Sequence, residues 1–287
     1  MRKTFLVSRL NRTLVAITAI ALTIAVAWWT LPHIAKTDKQ GIRLPIVMYH
    51  SLMNNSAQWG KWTCSPDVLE EDLQYLAQAG YRAVTLEQVY AHLITGEPLP
   101  ENPIVLTFDD GFMNNLVYGL PLLEKYDQCG VIFPVGAYVY DPPAGPRSAD
   151  YSYCLPEELR ELYESGRFEI GSHSYGMHRD GARYGMKRQR GESVEAYADA
   201  LAADLIPYQQ LLQRDVGVAP MSLAYPFGVV SKEADGVLRG LGFRATLTCY
   251  ERVSVVAGVE DLFSLGRFNR PSGVSTAAFF RKVGIRI

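Results

Sequence analysis

Residues 104–115 read IVLTFDDGFMNN, in which five mostly apolar residues run into two adjacent carboxylates and a glycine. A run of this kind is a buried strand that stops at its charged end. Side by side in a poorly hydrated place, Asp109 and Asp110 repel each other unless a cation or a shared proton relieves them. A lone Asp-Gly after a strand is often just a turn. Two aspartates there need a partner, and a divalent metal would serve.

The same alternation extends outward. Short apolar runs begin at IVMYH (46–50) and continue through YRAV, PIVLTF, VIFPVGAYV, RFEIGS, SLAYPFG, FRATLT and LFSLGRF. Between them lie amphipathic segments. SPDVLEEDLQYLAQAG has Ser65 as N-cap, Pro66 in the first turn and Gly80 as stop, and Thr85 with Gln88 makes a capping-box start. LPLLEKY, PEELRELYESG, SVEAYADALAADLIPYQQLLQ, KEADGVLRGLG and STAAFFRKVG read as further helices. Strands alternating with helices predict parallel strands with helical crossovers, hence an α/β domain. Some seven such units in about 240 residues fit a barrel better than an open sheet. Residues 140–154 form a surface loop too long to be only a connector.

Before this domain the chain is different. Residues 1–13 carry Arg2, Lys3, Arg9 and Arg12 with no acid, and residues 14–31 carry no charge, with Trp28 and Trp29 near the end. The expectation is a cytoplasmic basic flank (1–13), a transmembrane signal anchor (14–31), a stalk (32–43) and a catalytic domain (44–287) outside the cell membrane. Cleavage near AVA would instead make the chain a secreted protein. The 287 residues carry a formal net charge of −2, with acids and bases interspersed after the anchor, so nothing points to nucleic acid. Cys64, Cys129, Cys154 and Cys249 are scattered without a CxxC, which excludes a thiolate zinc site and a disulfide-dense scaffold and leaves one disulfide or none.

In α/β folds the working residues sit on loops after the C-terminal ends of strands. Three strand ends stand out: Asp109-Asp110-Gly111, HSYGMH (173–178) and PFG (226–228). His173 and His178 are five apart, which does not stack them on a helix face, but a loop with Ser174 and Gly176 can fold both imidazoles to one point. Such pairs are often ordinary surface or core residues; the position after a strand is what raises them. Two histidines and a carboxylate suit zinc with open positions. One aspartate would hold the metal and the other would take a proton from the acidified water. A glycosidase is excluded, because its two carboxyls must stand about 5 Å or more apart across the bond.

TFDDG, SHS with a second histidine at 178, and a strand ending in Pro-aromatic-Gly resemble the polysaccharide deacetylases of carbohydrate esterase family 4. IVMYHSL, with TCSPDVLEEDLQYLAQAGYRAVTLEQV after it, resembles the subgroup that includes poly-N-acetylglucosamine deacetylases, and the likeness spans residues 44–284. The resemblance implies a distorted (β/α) barrel of about seven parallel strands and a divalent cofactor, zinc first, with cobalt, nickel or iron as alternatives. It implies Asp109 as general base and Asp110, His173 and His178 as metal ligands. The histidine spacing of five is that of the subgroup, against four in the usual motif. AYPFG matches the third motif, so the backbone N–H of Phe227 is expected to hold the oxyanion, with Pro226, Tyr225 and Tyr175 against the substrate.

Two departures matter. The arginine expected before the third motif is replaced by Ala224 and Tyr225; Arg267, with Arg270 behind it, is the substitute for orienting Asp109. The fourth motif's histidine is absent, and His50, at the end of the first strand, is expected as general acid or as a hydrogen-bonded residue beneath the site. Trp59, Trp62, Tyr138 and Tyr140 are candidate sugar-stacking residues or simple packing.

The expected function is metal-dependent removal of N-acetyl groups from a cell-surface or extracellular polysaccharide containing N-acetylglucosamine, with release of acetate. The alternatives are an O-acetyl esterase on xylan or another glycan, and an inactive glycan-binding homologue. The expected partners are the polysaccharide and the membrane, with the protein a monomer.

Overall fold

Runs of two to eight residues, apolar in the central strands, build the sheets of the computed structural model, which describes residues 41–287. In chain order they are β1 (Ile42–Leu44), β2 (Ile46–Tyr49), β3 (Ser51–Leu52), β4 (Thr63–Cys64), β5 (Arg82–Ala83), β6 (Pro103–Asp110), β7 (Gly130–Pro134), β8 (Phe168–Ile170), β9 (Ser222–Ala224), β10 (Ala245–Leu247), β11 (Ser254–Val256) and β12 (Phe268–Asn269). One sheet runs β12-β2-β6-β7-β8 with β5 beside β6, and every pairing in it is parallel. β9 and β10 also pair in parallel, and single parallel bridges join Ser172 to Leu223 and Leu247 to Leu265. The pairing therefore passes from β8 through β9 and β10 to the segment that enters β12, consistent with a distorted barrel.

The strand period of two sorts side chains to opposite faces. Val105, Val131, Phe133, Ala224, Ala245 and Leu247 pack together as an inner cluster. Ile104, Leu106, Phe108 and Ile132 pack instead in the cluster that holds Leu69, Leu73 and Leu76 of the helix Pro66–Gln78 and Phe279 and Phe280 of the helix Thr276–Val283. The same parity that sends Val105 inward sends Thr107 and Asp109 inward.

The helix starts follow local chemistry. The Ser65 hydroxyl accepts from the Val68 amide with Pro66 in the first turn. Thr85 and Gln88 cap the helix Leu86–Thr95 reciprocally, and Gly96, at φ +80°, ends it. Ser193 caps the 22-residue helix Val194–Asp215.

Several segments differ from expectation. VIFPVGAYV is not one strand: β7 ends at Pro134, and Gly136–Tyr140 turns into a helix whose first amides donate to the Ser174 and Tyr175 carbonyls. In SLAYPFG the strand ends at Ala224, and Pro226–Gly228 forms a tight turn. Ile42 and Arg43, assigned to the stalk, belong to β1, which pairs antiparallel with β11. Arg270 does not stand behind Arg267. It lies an odd number of residues away, so the pleat turns it to the opposite face, where it forms a two-pronged ion pair with buried Asp72 (2.7 and 3.0 Å) that also takes the Tyr49 hydroxyl. All four cysteines are free. The basic flank and the proposed anchor lie outside the described residues; among the described residues no helix is long and apolar enough to cross a membrane.

Candidate active site

β6 delivers both aspartates. Asp109, 2% exposed, continues the inward row of Val105 and Thr107 and meets the fully buried Arg267 guanidinium in two parallel hydrogen bonds, 2.6 and 2.8 Å. Arg267 is held in turn by the Thr248 carbonyl and the Thr107 hydroxyl. Burial alone would raise the Asp109 pKa, but the Arg267 charge, with smaller contributions from His173 and His50, brings it down to about 2.

Asp110 takes the opposite course. Its backbone is left-handed, φ +70°, and Gly111 follows at +79°. A Cβ on Gly111 would stand 2.8 Å from the Pro134 Cβ, so only glycine allows the chain to turn there against β7. The turn aims the Asp110 carboxylate at the cleft, with Oδ1 3.6 Å from His173 Nε2 and 3.4 Å from His178 Nε2. Burial first, and then the Asp109 charge, raise its pKa to about 7.

His173 and His178 leave β8 on the loop HSYGMH. His173 Nδ1 lies 2.6 Å from the Ala224 carbonyl and donates to it, which leaves the Nε2 lone pair facing Asp110. Burial lowers the His173 pKa to about 3 and lowers that of His178 as well. Both rings are therefore neutral near pH 7, the form that binds metal. Ligand atoms of Asp110, His173 and His178 lie within 4.8 Å of one another, and buried Asp110 Oδ1 has no hydrogen-bond partner. A desolvated carboxylate oxygen with no donor, opposed by imidazole nitrogens, fits a divalent cation.

Asp109, Asp110, His50, His173, His178, Tyr225 and Phe227 line one cleft of about 820 Å³. His50 Nδ1 is buried without a partner, its ring lies against Trp62, and burial lowers its pKa to about 4. Phe227 has φ +59° and Ser174 φ +66°, so each of the three motif loops carries a non-glycine residue in a strained left-handed conformation. Pro226 is buried in the turn beneath Phe227. Gly228 seats that turn, since a Cβ there would stand 2.5 Å from the Cys249 Cβ.

Tyr175 is a correction. It is absent from the cleft wall; its ring packs on Tyr208 and over Gly136, and its hydroxyl donates to Asp141. Of the candidate stacking residues, Trp62 lines the cleft, Tyr138 packs beside His178, Tyr140 packs on Tyr208, and the Trp59 indole donates to the Met53 carbonyl. The loop 140–154 touches the cleft wall through Tyr153, which bridges to Phe112 and stacks on it. Sequence reasoning missed Tyr184, stacked flat on Phe227 at 4.7 Å, and Asn269, which follows Arg267 on the inward face of β12. The alternation from Arg267 could have revealed Asn269; nothing local marks Tyr184.

A sequence model described as polysaccharide deacetylase matches residues 96–246, more than half of the chain. The chain belongs to the polysaccharide deacetylase family, a class of hydrolases. A poly-β-1,6-N-acetyl-D-glucosamine N-deacetylase of Escherichia coli (strain K12) is 24% identical over 247 residues, covering 79% of this chain and 37% of that protein. The chain thus spans little more than a third of that relative's length. Among solved structures, IcaB from Ammonifex degensii superposes with a TM-score of 0.65 at 25% identity, covering 81% of this chain and 94% of the other. A de-N-acetylase from Aggregatibacter actinomycetemcomitans gives a TM-score of 0.69 at 23% identity, covering 84% and 98%, a likeness of fold.

The pKa of Asp110 yields a prediction whose sign is fixed. A carboxyl whose folded pKa is raised contributes its stability in full below its ordinary value near 4 and loses it as pH rises through about 7. Without divalent cation, Asp110→Asn should therefore melt at a higher temperature than the parent at pH 8, by an equivalent of roughly 4 kcal/mol, with the gap closing toward pH 4. Added zinc should reverse the order at pH 8. Equal melting curves at pH 8 in chelator would contradict this.

Proposed function

We propose that the chain is a divalent-metal-dependent hydrolase that removes N-acetyl groups from an exported polysaccharide of the poly-N-acetylglucosamine type and releases acetate. The observation that carries this is one cleft holding both an arginine-held carboxylate, Asp109, and the Asp110, His173 and His178 donor set. Family membership and the relatives named above support the substrate class. The basic flank and apolar run of residues 1–31 motivate the exported setting.

Asp110 through a carboxylate oxygen and the two histidines through Nε2 would hold the cation, with zinc the best match to the donor set. When bound, a divalent cation supplies Lewis acidity toward water and carbonyl oxygen. Asp109 is the general base. Its low pKa keeps it ionised at every physiological pH but makes it a poor base toward bulk water, so it acts on a water already acidified in the cleft. Arg267 fixes the orientation of both Asp109 oxygens. The Phe227 amide, on its left-handed turn, is the proposed donor to the oxyanion of the tetrahedral intermediate.

The proton that Asp109 accepts is the one the departing amine requires. His50 shares the cleft and is acted on by the Asp109 charge, and we assign it the transfer. Resting neutral, it is ready to take up that proton and pass it on.

Asp109→Asn should lower acetate release from N-acetylglucosamine oligomers by about 10²- to 10⁴-fold while leaving zinc content unchanged. Chelator should abolish release by the parent. Faster release from acetylated xylan than from the oligomers would favour an O-acetyl esterase, and release from neither would favour a glycan-binding role.

His50→Ala should slow cleavage of the N-acetyl sugar by about 10²-fold or more, yet slow an aryl acetate, whose leaving group needs no proton, by less than about tenfold. Equal losses on both substrates would remove His50 from proton transfer.

A further inference from the structure

The five-residue interval between His173 and His178 has to be folded so that both Nε2 atoms reach one point, and a side chain from outside the loop meets it at its centre. After the left-handed Ser174, the amides of Tyr175 and Gly176 point the same way. Both are met by a single side chain from another element. Asp204, in the middle of the helix Val194–Asp215, accepts from the Tyr175 amide on Oδ1 and from the Gly176 amide on Oδ2, each at 2.8 Å.

Other polar groups of the loop have partners as well. The His173 amide donates to the Pro134 carbonyl, and the Ser174 and Tyr175 carbonyls accept from Gly136 and Ala137. The Ser174 hydroxyl accepts from the Met177 amide. Of all these contacts, the Asp204 carboxylate is the one charged group, and it holds the two residues at the centre of the interval. An anion against consecutive amides is a strong, directional clamp.

We propose that Asp204 is a positioning residue for the divalent-cation site: it holds the His173–His178 loop in the conformation that brings both imidazoles to Asp110. This rests on the reading that Asp110, His173 and His178 bind a cation. Asp204 does not line the cleft. Its contribution is that the loop is ordered before the cation arrives, so that binding does not have to supply the ordering entropy.

The test is zinc affinity of the full-length protein by chelator competition, alongside far-UV circular dichroism and thermal melting in chelator. Asp204→Ala removes both acceptors. Asp204→Asn keeps one and presents an NH₂ to the other amide. Asp199→Asn removes the same charge from an exposed position on the same helix.

Zinc affinity should fall by about tenfold or more in Asp204→Ala, by less in Asp204→Asn, and not in Asp199→Asn. Folded content in chelator should stay near that of the parent. Acetate release by Asp204→Asn should recover as free zinc is raised, which a merely structural defect would not do. Zinc affinity within twofold of the parent in both Asp204 variants would overturn the assignment, as would failure of both to fold, since Asp204 would then hold the domain rather than the loop. Absence of zinc binding by the parent would instead remove the cation site itself, and with it this role.

Discussion

Two carboxylates on consecutive residues, both largely shut off from water, cannot be treated alike by the protein around them. At about 5 Å and an effective dielectric near 20, two like charges repel by roughly 3 kcal/mol, before any desolvation. The fold separates their environments. The inward face of β6 gives Asp109 a permanent counter-ion in Arg267, and the left-handed turn at Asp110 and Gly111 aims the second carboxylate at two neutral imidazoles. One pKa goes down and the other goes up. Divergent pKa values of this kind accord with the roles proposed for the pair, Asp109 as base and Asp110 as a cation ligand.

The scaffold supplies these environments from its edges. Arg267 enters from just before β12, His50 from just after β2, the imidazoles from the loop after β8, and the Phe227 turn from just after β9. These are neighbours only because the parallel order β12-β2-β6-β7-β8 continues through the bridges to β9 and β10. Of the five non-glycine residues with left-handed backbone among the described residues, Asp110, Ser174 and Phe227 sit on three different segments around one cleft, while Asp127 and Ser264 lie elsewhere.

Much of this was legible in the sequence, for definite reasons. Strand ends followed by Asp-Asp-Gly, a histidine pair and Pro-Phe-Gly carry their meaning locally, and alternating apolar runs with capped helices define a parallel α/β arrangement. What was not legible depends on direction or on distance. Tyr175 sits between the two histidines in sequence, yet its side chain leaves the cleft for Tyr208 and Asp141. Arg270 looked like a companion of Arg267, but the pleat sends it to Asp72. Asp204 is one acid among several on a long helix, and only its place opposite two backbone amides distinguishes it. The break in VIFPVGAYV was hidden because apolar periodicity cannot separate a strand from the helix that follows it without a turn signal stronger than Pro134.

One cation is proposed to join Asp110, His173 and His178. Anomalous diffraction at the zinc edge from crystals grown with zinc tests it most directly. A single strong peak about 2.0–2.2 Å from a carboxylate oxygen of Asp110 and from Nε2 of both histidines, with Asp109 still paired to Arg267, is the predicted result. A peak elsewhere in the protein, or imidazoles turned away from Asp110 with no density between them, would contradict it.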